Sequence, residues 1–256
     1  LEVSTREASP AEWARVQSNL GDVYNTLGEL GDTAALHYAI EAYANAQATY
    51  TVQSAPNYWR RMQLMIGGAY LALARRGDAD AIARAVGAYE AYFNAEAPPA
   101  PPGDDARAHY NLGQVYTTAY RRGDASAAPR AVAAFEAALQ IYTREANPIW
   151  WAHSQTYMGL ALRRMGENGD DAALTRAIEA LSAALAVRTR TDHPGDWAAN
   201  QYSIGLAHLA FVQRGDRSHL EPALTALAGA RDEYTRLGDT YWSGLAQHWI
   251  TQFENR

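Results

Sequence analysis

Apolar side chains recur every three or four positions along this chain, which is the spacing of one face of an α-helix. A first stretch with this spacing covers residues 13–28, and a second covers residues 33–51. The aligned positions are Gln17, Leu20, Tyr24 and Leu27 in the first stretch, and Leu36, Ile40, Tyr43 and Gln47 in the second. The pattern therefore predicts two consecutive helices joined by a short turn.

This two-helix pattern returns at a fixed step, because Gly67 follows Gly21 by 46 positions (67 − 21) and other residue types keep the same step. The columns are Gly21, Gly67, Gly113, Gly159 and Gly205; Gly31, Gly77, Gly123, Gly169 and Gly215, each followed by Asp; Pro56, Pro102, Pro148 and Pro194; Ala39, Ala85, Ala131, Ala177 and Ala223; and Trp13, Trp59, Trp151 and Trp197. A fixed period of this size is typical of helical solenoids, in which each repeat packs on its neighbours.

The columns divide the chain into one array with repeats at 11–56, 57–102, 103–148, 149–194 and 195–240. Residues 1–10 align with residues 47–56 and are expected to be the end of a preceding repeat. Residues 241–256 are expected to form a capping helix. On this interpretation, the 1–256 chain is a fragment of a longer array or a processed chain.

Turn residues predict how each repeat is built. The Gly of each Gly-Asp pair predicts a left-handed stop for the first helix, and the Asp predicts an N-cap or a first-turn acid for the second. The Pro column is expected to close each repeat, since the residue before a proline is driven out of the helical region. A glycine inside a helix costs about 1 kcal/mol relative to alanine. The Gly21 column therefore predicts a close approach, with Ala39 and Ala46 as the expected partners. Trp13 is expected to anchor its repeat on the preceding one.

The boundary between the second and third repeats is irregular. Residues 97–105 read APPAPPGDD, so four prolines replace the last helical turn, and Asp105 replaces the Trp of the column. Such a segment is extended and semi-rigid. It is either a tolerated irregularity or a hinge or docking segment.

Composition removes several chemistries. The chain has no Cys, and all 22 of its basic residues other than His are Arg, so thiolate, Schiff-base and P-loop lysine chemistry are excluded. The net charge of −6 argues against nucleic acid as a partner. The seven histidines form no His-Glu-x-x-His motif. We therefore expect no catalytic residues, no metal and no cofactor, and we do not expect an enzyme. No membrane-inserted segment is expected either.

The motif Asn111-Leu112-Gly113-Gln114-Val115-Tyr116, followed by Ala131, Phe135 and Ala138, resembles the tetratricopeptide repeat (TPR). Residues 17–24 with Ala39, Tyr43 and Ala46 repeat the likeness, which covers essentially the whole chain. The 46-residue period is longer than the family's 34 residues. It looks like a long bacterial subtype that is often fused to caspase-like peptidase, nucleotide-binding or signalling domains.

The resemblance implies an α-α superhelix, a TPR-like solenoid of antiparallel helix pairs whose first helices line a groove. It implies a scaffold for protein–protein interaction within a larger regulatory or signalling protein, binding a peptide or partner domain. A cytoplasmic location is expected because no signal peptide is visible. The candidate partner-binding residues are Arg15, Arg61, Arg107, His153, Tyr110, Gln114 and Tyr202.

Three functions of this groove stay open, and the first has a purely structural alternative. An acidic or C-terminal peptide would lie along Arg15, Arg61 and Arg107, because guanidinium groups bind carboxylates through two donors. Alternatively, neighbouring Asp and Glu residues simply pair with these arginines. A different class of protein, a small-molecule or lipid carrier, would use an apolar wall of Leu160, Leu206, Leu209, Tyr202 and Tyr110. A restraining role for a fused effector domain is the third possibility.

Overall fold

The computed structural model describes residues 5–254, and within them the fold is all-α. The helices are α1 Pro10–Glu29, α2 Thr33–Gln47, α3 Pro56–Arg75, α4 Asp80–Asn94, α5 Pro102–Arg121, α6 Ala127–Leu139, α7 Pro148–Glu167, α8 Asp171–Leu185, α9 Pro194–Gln213, α10 Leu220–Arg236 and α11 Thr240–Glu254. A single 3-10 turn, Arg217–His219, precedes α10. No strand occurs between residues 5 and 254, so the predicted all-α class is confirmed.

The chain divides into two compact units, Leu1–Asp124 and Ala125–Arg256. The first contains α1 to α5 and the second contains α6 to α11. The boundary falls inside the third predicted repeat. Within each unit, consecutive helices pack as neighbours: α1 on α2, α2 on α3, α7 on α8 and α9 on α10.

Each long first helix begins at the proline column, not at the tryptophan column. Pro10, Pro56 and the later prolines are the first residues of their helices, where the missing N–H needs no partner. The expectation that proline closes a repeat was therefore wrong, because it opens the next first helix. The second helix is also shorter than expected, since α2 ends at Gln47 and a turn follows it.

The glycines of the Gly-Asp turns behave as predicted, and the aspartates form the predicted N-cap at α2 and α8 but not at α4 and α6. Gly31 has φ 121° and the other four glycines of its column are also left-handed. Asp32 caps α2 by accepting a hydrogen bond from the Ala35 N–H at 3.1 Å, and Asp170 accepts one from Ala173 at 2.9 Å. These turns reverse the chain, so the two helices of a repeat run antiparallel.

The inner glycines make room for large side chains on the second helix. A Cβ on Gly21 would lie 2.4 Å from the Tyr43 ring, and one on Gly28 would lie 2.3 Å from Leu36. In the second unit, a Cβ on Gly205 would lie 2.6 Å from Leu227. The predicted close approach is confirmed, but the predicted alanine partners were wrong for the nearest contact: a Tyr or Leu fills the space that the glycine leaves.

The second helix of one repeat covers the first helix of the next. Ala39, Tyr43 and Ala46 of α2 share a core cluster with Met62 and Ile66 of α3. Farther along the same pair of helices, Leu36 shares a cluster with Ala69 and Leu73. Positions fall along α2 as they rise along α3, so this contact is antiparallel as well.

First helices are also tied to one another at their C-terminal ends. Arg76, at the end of α3, donates a hydrogen bond to the Gly28 carbonyl of α1. Arg122 does the same to the Ala74 carbonyl of α3 and donates to the Asp78 carbonyl at 2.8 Å. Each of these arginines binds a carbonyl at the end of the neighbouring helix that also accepts from a turn glycine, since the Gly31 N–H donates to Gly28 and the Gly77 N–H donates to Ala74.

Candidate functional site

In the first unit, the helices α1, α3 and α5 lie side by side and present one surface. A pocket of about 370 Å³ opens on it. The lining residues are Asp22, Asn25, Thr26 and Glu29 of α1, Arg61 and Met65 of α3, and Asp104 and Arg107 of α5. Helical spacing places the α1 residues on one face, so the pocket follows from the packing of three first helices.

The pocket is strongly charged, and four of its five charged side chains form ion pairs. Arg61 Nη2 lies 3.4 Å from Asp22 Oδ2, and Arg107 Nη2 lies 3.1 Å from Asp104 Oδ1. All four side chains are at least a third exposed, so neither pair contributes much to stability. The two arginines are therefore neutralised by neighbouring carboxylates but remain accessible to a ligand whose own carboxylates replace them.

A buried side chain of α2 holds Asp22 in place. The Tyr43 hydroxyl, on a fully buried side chain, donates to Asp22 Oδ1 at 2.8 Å. Burial, followed by this hydrogen bond, raises the pKa of the Tyr43 hydroxyl, which stays protonated and keeps donating. On the same helix, Asn25 donates to Glu29 Oε1 at 3.1 Å. The α1 wall of the pocket is thus fixed before any ligand arrives.

The predicted arginine column is only partly assembled in this pocket. Arg61 and Arg107 both line it, but Arg15 is exposed on α1 outside the lining. Tyr110 and Gln114 are 6 % and 7 % exposed, so little of either side chain is offered to a ligand. The structure therefore brings together two of the five predicted residues of the first unit.

The other two predicted residues, His153 and Tyr202, belong to the second unit and make internal contacts there. Arg188 Nη2 lies 2.7 Å from His153 Nδ1, and burial together with this guanidinium lowers the pKa of His153. Tyr202 accepts a hydrogen bond from Trp249 Nε1 at 3.2 Å and packs edge-on against Trp242. Tyr202 therefore joins α9 to α11.

The apolar wall expected for a carrier is largely part of the core. Leu209 is buried in a cluster with Leu227 and Phe253, and Leu206 packs against the same cluster. The helix α11, at the place of the predicted capping helix, covers this region with Ile250 and Phe253. Residues 255–256 of that predicted helix, and residues 1–4 of the predicted preceding repeat, lie outside the described residues.

The predicted partner-binding residues omit six of the eight pocket residues: Asp22, Asn25, Thr26, Glu29, Met65 and Asp104. Glu29 follows Asp22 by two helical turns, so helical spacing alone was a usable signal for it. Asp104 belongs to the 97–105 segment that was expected to be extended, whereas it lies in the first turn of α5. Its placement required knowing that α5 begins at Pro102.

The described residues provide no metal centre, because no three His, Asp or Glu side chains between residues 5 and 254 are grouped closely enough to hold an ion. No helix in that part of the chain is long and apolar enough to cross a membrane. A scan against protein-family models finds no match, and a search of curated proteins finds no significant relative.

Proposed function

We propose that this chain is a non-catalytic scaffold of the tetratricopeptide kind, which binds a peptide segment of a partner protein in the α1–α3–α5 pocket. The observation that carries the proposal is the pocket's mixture of exposed, paired charges: Arg61 and Arg107 beside Asp22, Asp104 and Glu29. Exposed pairs of this kind exchange at little cost, so a ligand's own charges can replace them.

The charges favour a peptide that carries both signs. A carboxylate, from an acidic side chain or a C-terminus, would displace Asp22 or Asp104 and accept from a guanidinium through two hydrogen bonds. The released carboxylates and Glu29 would then bind a Lys or Arg of the same segment. In this proposal the scaffold serves a larger regulatory or signalling protein of the bacterial cytoplasm.

The test is selection of peptides from a random library on the purified chain, followed by titration of an enriched peptide. We expect binding that weakens as salt is raised, because the contacts are solvent-exposed ion pairs. The double variant Arg61→Gln and Arg107→Gln should bind at least about tenfold more weakly. Arg164→Gln is the matched control, since Arg164 forms a similarly exposed pair with Glu167 in the second unit.

Two results would contradict the proposal: no peptide enriched above background, or an enriched peptide that the double variant binds as tightly as the original chain. Arg15→Gln asks a narrower question. Weaker binding by that variant would extend the site along α1 as the sequence predicted, and unchanged binding would confine it to the pocket.

A further inference from the structure

In the first repeat, side chains from three helices form one hydrogen-bonded set around a carboxylate. The Tyr43 hydroxyl of α2 donates to Asp22 Oδ1 of α1 at 2.8 Å, and Arg61 Nη2 of α3 lies 3.4 Å from Asp22 Oδ2. The carboxylate therefore accepts from a buried hydroxyl on one side and from an exposed guanidinium on the other. We call these three residues the tyrosine–carboxylate–arginine set.

The second repeat keeps both donors of this set but has no side chain in place of its carboxylate. At the positions 46 residues later, Tyr89 and Arg107 are the donors, and Gly68 stands where the first repeat has its aspartate. The Tyr89 side chain is fully buried, and its hydroxyl has no hydrogen-bond partner among the residues that the structure describes. Buried hydroxyls in native proteins nearly always have a partner, so this one calls for an explanation.

The space over Gly68 leads to this hydroxyl. A Cβ on Gly68 would lie 3.9 Å from the Tyr89 hydroxyl oxygen and would meet nothing else from another helix within 4 Å. By contrast, a Cβ on Gly67, the packing glycine of this repeat, would lie 2.7 Å from the Tyr89 ring. Close packing therefore requires the glycine at position 67 but not the one at position 68. Because Gly68 is partly exposed, a ligand reaches the hydroxyl from solvent through this space.

Arg107 of α5 supplies the second donor. Its Nε is buried and has no hydrogen-bond partner within the described part of the chain, while its Nη2 lies 3.1 Å from Asp104 Oδ1. Burial raises the pKa of the Tyr89 hydroxyl, and Asn111 and Arg107 lie close enough to oppose that rise. Both are donors, so neither accepts the hydroxyl proton. Two buried donors without acceptors thus occupy the positions that flank the carboxylate in the first repeat.

The later repeats show that the hydroxyl and the glycine occur together only once. Where the second helix carries no hydroxyl at this position, the first helix carries a side chain opposite it. The aligned pairs are Phe135 with Gln114, Leu181 with Leu160, and Leu227 with Leu206. Among the five repeats, only the second combines a tyrosine hydroxyl with an aligned position that has no side chain.

From this space and its two unused donors we infer that Gly68 marks a carboxylate subsite, in which the bound peptide supplies the carboxylate that Asp22 supplies in the first repeat. One carboxylate oxygen accepts from the Tyr89 hydroxyl and the other accepts from Arg107. Gly68 follows Met65 by three residues on one face of α3, so the subsite continues from the α1–α3–α5 pocket. The role of the subsite in peptide binding rests on the proposed function, whereas carboxylate binding at Gly68 is testable without a peptide.

Gly68→Asp tests the subsite without a ligand, because it supplies the carboxylate of the first repeat from the chain itself. The variant should unfold at a higher urea concentration than the original chain, and adding Tyr89→Phe should remove most of that gain. Gly87→Asp is the matched control, since Gly87 is an exposed residue inside α4 and a Cβ there would meet nothing within 4 Å. It replaces a helical glycine and adds the same charge, but its effect should not depend on Tyr89. A Gly68→Asp variant that is less stable than the original chain, or whose effect is as independent of Tyr89 as that of the control, would overturn the inference.

Acetate is the probe for binding of a carboxylate from solution. In an NMR titration, acetate should shift the Gly67 amide signal of the original chain and of Gly87→Asp, but not that of Gly68→Asp, whose own carboxylate fills the space. The same response to acetate in all three proteins would contradict the inference.

The selected peptide then tests the role of the subsite. Gly68→Asp should bind it at least about tenfold more weakly than the original chain, and Gly87→Asp should bind it equally well. Peptides with an amidated C-terminus, or with Asn and Gln in place of Asp and Glu, identify which carboxylate enters. A peptide that Gly68→Asp binds as tightly as the original chain would overturn the inference. If no peptide is selected but acetate responds as expected, the proposed function fails and the carboxylate subsite stands.

Discussion

Two joints of the first unit connect the same kinds of helices but are held in different ways. Between α2 and α3, the turn closes on itself: the Ala55 N–H donates to the Thr51 carbonyl at 2.9 Å, and the Ser54 N–H to the Thr51 side chain at 3.1 Å. Between α4 and α5, four prolines leave few donors. There the buried Arg60 of α3 donates to the carbonyls of Ala95 at 3.1 Å, Ala97 at 3.2 Å and Pro98.

The residues that differ at the irregular joint belong to otherwise regular columns. Arg60 stands where the other repeats have Ala14, Ala106, Ala152 and Ala198; Ala97 stands where they have Thr5, Thr51, Thr143 and Thr189; and His109 stands where they have Gln17, Gln63, Gln155 and Gln201. Asp105, in the Trp column, accepts a hydrogen bond from the Tyr92 hydroxyl at 2.8 Å. Several column residues are thus replaced together at the irregular joint, and donors from neighbouring helices hold a turn that has few donors of its own.

The largest effect should come from restoring the repeat's alanine at position 60. Arg60→Ala removes the donor of three carbonyl hydrogen bonds and leaves a buried gap, so the free energy of unfolding should fall by about 3 kcal/mol. Arg61→Ala, at a half-exposed neighbour, should cost less than about 1 kcal/mol. Urea denaturation followed by circular dichroism measures both. Equal losses would mean that Arg60 does not hold the joint.

The next effect concerns the replacement of the Trp anchor. Tyr92→Phe deletes the hydroxyl that Asp105 accepts from, and a hydrogen bond to a charged group contributes about 1.5–3 kcal/mol. At the regular joint, Tyr50 donates only to the Ala11 carbonyl at 3.0 Å in an exposed setting. Tyr50→Phe should therefore cost about 0.5 kcal/mol. Urea denaturation measures the free energy of unfolding of both variants. A larger loss for Tyr50→Phe than for Tyr92→Phe would contradict this prediction.

A smaller effect is expected from the threonine column. Thr51→Ala removes the side-chain acceptor of the Ser54 N–H and should lower the free energy of unfolding by about 1 kcal/mol, as for a helix-cap residue. The converse change, Ala97→Thr, should give no measurable gain, because Arg60 already occupies the carbonyls of that joint. A clear stabilisation by Ala97→Thr would show that the irregular joint still forms the regular turn.

The smallest effect is a difference in acid sensitivity. His109 is half-buried and stacks on Phe93 at 4.2 Å, and burial lowers the pKa of its imidazole. Its contribution to stability is thus complete above the unfolded pKa of about 6.5 and is lost as pH falls through the lower folded pKa. His109→Gln, the residue of the column, should make the unfolding free energy less dependent on pH between 7 and 5. Parallel pH profiles for the two proteins would contradict this.

Much of the fold could be predicted because it depends on local signals. Left-handed glycines and capping aspartates act within a few residues, so the Gly31-Asp32 turn was predicted correctly from its own dipeptide. The candidate site was harder to predict from the sequence. The sequence predicted the side-by-side placement of Arg61 and Arg107, but Tyr110 and Gln114 are buried, because neighbours that are remote in sequence cover them.

By itself, the sequence determined the period, the helix pairs and the turns between them, since each follows from residues close together in the chain. It also marked the irregular joint through its prolines. Only the tertiary structure decided that Tyr43 fills the space over Gly21, that Arg60 replaces the donors of a distant turn and that Asp22 pairs with Arg61. These contacts join residues about 20 to 40 positions apart, where side-chain volume and reach across packed helices select the partner and local propensity does not.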